Sequence, residues 1–151
     1  MVQNFYNRLN NNLNSKNIFY KDDREIYHYR NLKEFFYKFV NLVQFLPKKR
    51  NKICILSDKC FELYATSLSI LISNNTWVPL SKSFPENRIF DVINSVKPDL
   101  FIINKLNIIK NLKIKNFLRK NKIPLITFEE INHSKKINKI PNYKYYNKDV
   151  S

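Results

Sequence analysis

The sequence predicts an α/β protein built around a mostly parallel β-sheet. Four short runs of strand-forming residues recur along the chain, at 52–56, 77–80, 99–103 and 124–128. Between them lie longer segments whose apolar residues recur every three or four positions, which is typical of amphipathic helices. Strands that alternate with helices in this way favour a parallel sheet with flanking helices and right-handed crossovers. A chain of 151 residues is long enough for one such domain.

The first elements are predicted to be a short β-hairpin and a helix. Residues 17–29 contain two strand-like runs around a turn at Lys21-Asp22-Asp23. Residues 31–46 follow with a single apolar stripe, and Pro47 and the basic turn 48–50 end the helix. The stripe consists of Leu32, Phe35, Phe36, Phe39, Val40, Val43 and Leu46.

Three more helices are predicted between the strands, at 60–73, 85–96 and 106–121. Asn74-Asn75 ends the first of them, because Asn tolerates the left-handed backbone of a helix C-terminus. Pro85 suits the first turn of the second, and Pro98 ends it. We therefore divide the chain into an Asn-rich segment (1–16), the α/β domain (17–128) and a basic loop or tail (129–151).

The chain contains no glycine, whereas ordinary usage predicts roughly ten. A Walker-type phosphate loop, a G-x-G-x-x-G dinucleotide site and a G-x-S-x-G nucleophile elbow all need glycine where backbone approaches closely. The sequence therefore excludes all three sites from these 151 residues.

The formal net charge of +15 admits nucleic acid or an anionic surface as a partner. Asn, Lys, Ile, Phe and Tyr, however, supply 83 of the 151 residues, about 55%. These are the amino acids of A/T-rich codons, and codon bias explains the lysine surplus and the missing glycines together. Of the 27 cations only 6 are arginine, the residue that base and phosphate recognition favours. We expect no specific nucleic-acid partner.

Chemistry-bearing side chains are sparse. Cys54 and Cys60 are interpreted as free thiols, and His28 and His133 lie too far away to complete a metal site with them. The polar residues after the predicted strands include neither paired carboxylates nor a nucleophile beside a base. They are Ser57-Asp58-Lys59, Ser81-Lys82-Ser83 and Asn104-Lys105. The sequence thus assigns no catalytic, cofactor-binding or metal-binding residue.

The segment LISNNTWVPLSKSFPENR, residues 71–88, resembles a motif of adenylate-forming enzymes. Acyl-CoA synthetases and the amino-acid-adenylating domains of peptide synthetases carry a phrase like L-K-A-G-A-x-Y-V-P-L-D-P-x-Y-P-x-x-R. Leu71, Val78, Pro79, Leu80, Pro85 and Arg88 fall on this pattern, with Trp77 and Phe84 at aromatic positions. Asn74 replaces the family's glycine, and Ser81-Lys82 replaces its Asp-Pro.

The resemblance continues on both sides and spans about residues 19–128. NKICILSDKCFE (51–62) is similar to the family's D-R-V-A-I-L-L-P-N-S-P-E, with Glu62 aligned. DREIYHYRNLKEF (23–35) is similar to D-x-x-x-x-T-Y-x-E-L-N-x, with His28 where Thr or Ser is usual. IFDVINSVKPDLFI (89–102) resembles the helix and strand that follow in the family.

This resemblance implies the N-terminal part of an AMP-dependent synthetase or ligase. The family's phosphate loop, its Mg²⁺ and adenine sites, its acyl pocket and its catalytic lysine would all follow the matched region. ATP and Mg²⁺ are therefore expected for a complete enzyme, with CoA or a carrier protein as thiol acceptor. The 151 residues alone are expected to be an inactive, truncated fragment without a cofactor, whose partner is the remainder of the enzyme.

Two alternatives stay open. A non-catalytic α/β binding or interaction module would pair with a separately encoded remainder of the enzyme, and a basic nucleic-acid-binding protein would use residues 106–121 and the lysine-rich tail. No apolar run approaches the roughly 20 residues of a membrane span, and the N-terminus does not resemble a signal peptide. We expect a cytoplasmic protein.

Overall fold

A computed structural model describes residues 11–13, 15–46, 50–105 and 111–135. It confirms the predicted class: a four-stranded parallel sheet with helices on both faces, preceded by an antiparallel hairpin. The elements are β1 (Ile18–Lys21), β2 (Ile26–His28), α1 (Tyr29–Val43), β3 (Lys52–Leu56), α2 (Phe61–Ile72), β4 (Thr76–Leu80), α3 (Glu86–Val96), β5 (Leu100–Ile103), α4 (Leu112–Lys120), β6 (Leu125–Thr127) and α5 (Phe128–His133).

The strand order in the sheet is β4-β3-β5-β6. β3 is central, with Ile53 opposite both Trp77 of β4 and Leu100 of β5. Ile53 and Ile55 pack into the core formed with α1, α2 and α5. Cys54 and Leu56 belong to the core formed with α3 and α4 on the other face. Because successive side chains of a strand alternate between faces, one apolar run serves both cores.

The helix of 31–46 begins earlier and ends earlier than its apolar stripe predicts. α1 starts at Tyr29, where the Asn31 side-chain oxygen accepts a hydrogen bond from the His28 backbone N–H at 2.8 Å. It ends at Val43. Residues 47–49 of the predicted stop at 47–50 lie outside the described residues, and so do residues 106–110, the first part of the helix predicted at 106–121.

Three of the helices end on a residue with left-handed backbone. Asn74 after α2 has φ 59°, which confirms the prediction for this position, and Lys97 after α3 and Lys122 after α4 have φ 50° and 55°. This position usually carries glycine, because a Cβ crowds the backbone there. The protein instead places asparagine and lysine at these turns.

The prediction of loop from residue 129 onward is wrong for its first residues. Residue 128, predicted to end a strand, begins α5, which extends to His133. Thr127 Oγ1 accepts the Glu130 N–H at 3.1 Å, and the Glu130 carboxylate accepts the Thr127 N–H at 2.6 Å. Phe128 and Ile131 are buried in the core with α1. This short helix is thus stabilised by a capping box at its N-terminus and by two side chains buried in the core.

The hairpin packs on the N-terminal end of α2 through aromatic rings. Phe19 and Tyr27 of the hairpin contact the Phe61 ring, as does Phe35 of α1, with ring centroids between 4.0 and 6.0 Å apart. In the hairpin turn, the Asp22 carboxylate accepts the backbone N–H groups of Arg24 and Glu25, each at 2.8 Å.

Within the described ranges, no helix is both long and apolar enough to span a bilayer.

Candidate functional site

The carboxyl edge of the parallel sheet is the candidate site, because ligands of such sheets bind where the strands end. The loops after β3, β4 and β5 and the start of α5, which follows β6 directly, bring polar side chains from distant parts of the chain to this edge. These side chains include Ser57, Asp58, Ser81, Lys82, Ser83, Lys105 and Glu129.

An ion pair joins the loops that follow β3 and β4. Lys82 Nζ donates to the Asp58 carboxylate. The two side chains are 32% and 68% exposed, so water screens the pair and its contribution to stability is small. The pair marks where the two loops meet at the edge of the sheet.

The loop after β4 satisfies its own polar groups. Ser81 and Ser83 share a hydrogen bond of 2.7 Å between their hydroxyls, and the Phe84 N–H donates to the Ser81 carbonyl at 3.1 Å. This turn leads directly into α3. Pro85 is the N-cap of α3, just outside the first helical turn that the sequence predicts for it.

The charged residues at the start of α3 are also engaged. The Arg88 guanidinium lies 4.6 Å from the centre of the Phe84 ring, a cation–π contact. Lys113 Nζ on α4 donates to the Glu86 carboxylate at 3.1 Å. Phe84, Pro85 and Arg88 all belong to the motif on which the family resemblance depends, and here they shape the entry into α3.

An open pocket of about 480 Å³ lies beneath these contacts. Its walls are polar and apolar in about equal parts, and the Lys82 and Glu86 side chains that line it are paired with Asp58 and Lys113. The pocket therefore offers no unengaged charge from this lysine and this glutamate. Its lining consists of Leu56, Lys82, Phe84, Glu86, Ile89, Asn111 and Ile114.

Both cysteines are free thiols, as predicted. Cys54 is fully buried in β3, and burial raises the pKa of its thiol to about 12. Cys60 is half-buried at the N-cap of α2, where its Sγ accepts the Leu63 N–H at 3.4 Å. Burial, opposed in part by this hydrogen bond, also raises the pKa of the Cys60 thiol. Neither thiol resembles an activated nucleophile, which requires a lowered pKa.

The two histidines have local structural contacts. His28 Nδ1 donates to the Lys16 carbonyl at 2.6 Å, next to the start of α1. His133 Nδ1 donates to the Glu129 carbonyl at 2.6 Å, one turn earlier in α5. Across the described ranges, no three His, Cys, Asp or Glu side chains are grouped so that they could hold a metal ion.

The structure thus brings together pairs that the sequence did not indicate. Asp58 and Lys82 are 24 residues apart, and Glu86 and Lys113 are 27 apart. The Glu129 carboxylate likewise accepts the Lys105 backbone N–H, at 3.1 and 3.3 Å. No local pattern signals such pairings, because they depend on which strands are neighbours in the sheet.

Neither a protein-family model nor a curated protein sequence matches the chain. Solved structures with the same fold do. The luciferase-like enzyme from the nonluminescent mealworm Zophobas morio is similar over 100% of the chain, with a TM-score of 0.76 and 14% identity. ATP-bound MatB from Rhodopseudomonas palustris is similar over 92%, with a TM-score of 0.73 and 13% identity. The N-terminal subdomain of NpsA from Klebsiella oxytoca, in complex with 3-hydroxyanthranilyl-AMSN, is similar over 93%, with a TM-score of 0.68 and 15% identity.

The chain corresponds to only part of each of these proteins: 39% of the mealworm enzyme, 30% of MatB and 33% of the NpsA subdomain. At 13–15% identity the likeness concerns the fold. The chain therefore has the α/β fold of one part of the adenylate-forming enzymes, and it spans about a third of their length.

Proposed function

We propose that this chain supplies the N-terminal α/β part of an adenylate-forming synthetase. A complete enzyme of this class activates a carboxylate with ATP to an acyl-adenylate and then transfers the acyl group to a thiol. One observation carries the proposal. Asn74 stands where the family motif has glycine, and its φ of 59° is the left-handed conformation for which glycine is best suited. The sequence motif and the backbone geometry at Asn74 thus support the same alignment of α2, β4 and α3 with the family motif.

The 151 residues are proposed to be inactive by themselves. They contain no glycine and hence no glycine-rich phosphate loop, and Lys82 and Glu86 are paired with Asp58 and Lys113. ATP, Mg²⁺ and a thiol acceptor, either CoA or a carrier protein, belong to the complete enzyme. The SFPENR phrase at 83–88 favours the amino-acid-adenylating branch over the acyl-CoA synthetases.

ATP–pyrophosphate exchange tests the inactivity. The purified chain is assayed with Mg²⁺ and a panel of amino acids and fatty acids, beside a complete adenylate-forming enzyme as positive control. We expect no exchange above the enzyme-free background. Carboxylate-dependent exchange by residues 1–151 would contradict the proposal.

The coding DNA tests the family assignment independently. We expect the nucleotides after the codon for Ser151 to encode a Gly/Ser/Thr-rich phosphate loop, in frame or after one frameshift. A downstream sequence without such a loop in any frame would overturn the assignment, whatever the exchange assay finds.

A further inference from the structure

We draw no further inference here: the strongest candidate, the open cleft of about 570 Å³ at the amino edge of the sheet beside the C-terminal ends of α1, α3 and α4, carries none, because nothing in the structure shows what covers its apolar lining at Phe45, Leu46 and Ile93.

Discussion

The ring of Tyr27 lies flat on the ring of Phe61, with centroids 4.0 Å apart and planes 12° apart. This contact joins the hairpin, which is not part of the parallel sheet, to the first turn of α2. Phe61 is only 6% exposed, and the rings of Phe19 and Phe35 meet it edge-on. Two rings of the hairpin, those of Phe19 and Tyr27, thus pack on one phenylalanine of α2.

Replacing that ring should loosen the hairpin. We expect Phe61→Leu to lower the free energy of unfolding by about 1–2 kcal/mol, because leucine keeps most of the apolar volume and loses the ring contacts. Phe90→Leu is the control, since Phe90 is only partly buried and stacks on the single ring of Phe117. Urea denaturation should show a smaller loss for Phe90→Leu. Equal losses would contradict the role of the aromatic contacts.

Glycine should stabilise the turns that end α3 and α4. Lys97 and Lys122 have left-handed backbone, which costs a residue with a Cβ roughly 1 kcal/mol. We expect Lys97→Gly and Lys122→Gly each to raise the free energy of unfolding by about 0.5–1 kcal/mol. Lys115→Gly removes the same charge in the interior of α4 and should instead lower the free energy of unfolding by about 1 kcal/mol. A loss of stability in all three variants would show that left-handed strain is not the determining factor.

The capping box of α5 should contribute measurably to stability through the Thr127 hydroxyl. Thr127→Ala removes the acceptor of the Glu130 N–H and should cost about 1 kcal/mol of stability. Thr127→Ser keeps a hydroxyl at the same position and should retain most of the wild-type stability. Thermal denaturation compares the two variants. If serine and alanine behave alike, the loss comes from the methyl group and not from the cap.

Acid should weaken the hairpin turn through Asp22. The N–H groups of Arg24 and Glu25 stabilise its carboxylate and hold its pKa below the ordinary value of 3.8. Because the folded pKa is lowered, the stabilisation is complete above pH 3.8 and is lost as pH falls through the folded pKa. The wild type should therefore exceed Asp22→Ala in stability at neutral pH, and the difference should shrink below pH 3.8. A difference independent of pH, in urea titrations at several pH values, would exclude this linkage.

The thiols should react slowly in the folded protein. With its pKa raised to about 12, Cys54 is almost entirely protonated at pH 8, and it is fully buried as well. Ellman's reagent should modify Cys60 slowly and Cys54 only after unfolding in guanidinium. Cys60→Ser should accordingly be inert until it unfolds. Fast modification of native Cys60→Ser would show that β3 opens far more readily than its burial indicates.

Local sequence patterns were sufficient where burial follows a regular period. The apolar spacing from Leu32 to Val43 predicted α1, and KICIL predicted β3 with its observed bounds. Asn74 was predicted at a helix end because of its tolerance for left-handed backbone, and it lies there. The misses lie at the ends of elements and at α5, whose residues were predicted as the end of a strand and a loop. Phe128 continues the apolar run of β6, so the run by itself does not reveal that the chain turns into α5.

The sequence by itself determined the α/β class, the order of the main elements, the exclusion of glycine-dependent phosphate sites and the resemblance centred on residues 71–88. Each of these depends on residue types at short spacing. Only the tertiary structure decided the strand order β4-β3-β5-β6, the pairing of Asp58 with Lys82 and the outward position of Leu71 and Trp77. The reason is physical: hydrophobic periodicity specifies which side of an element is buried, whereas only the packed sheet brings residues distant in sequence together and determines which apolar side chains remain uncovered.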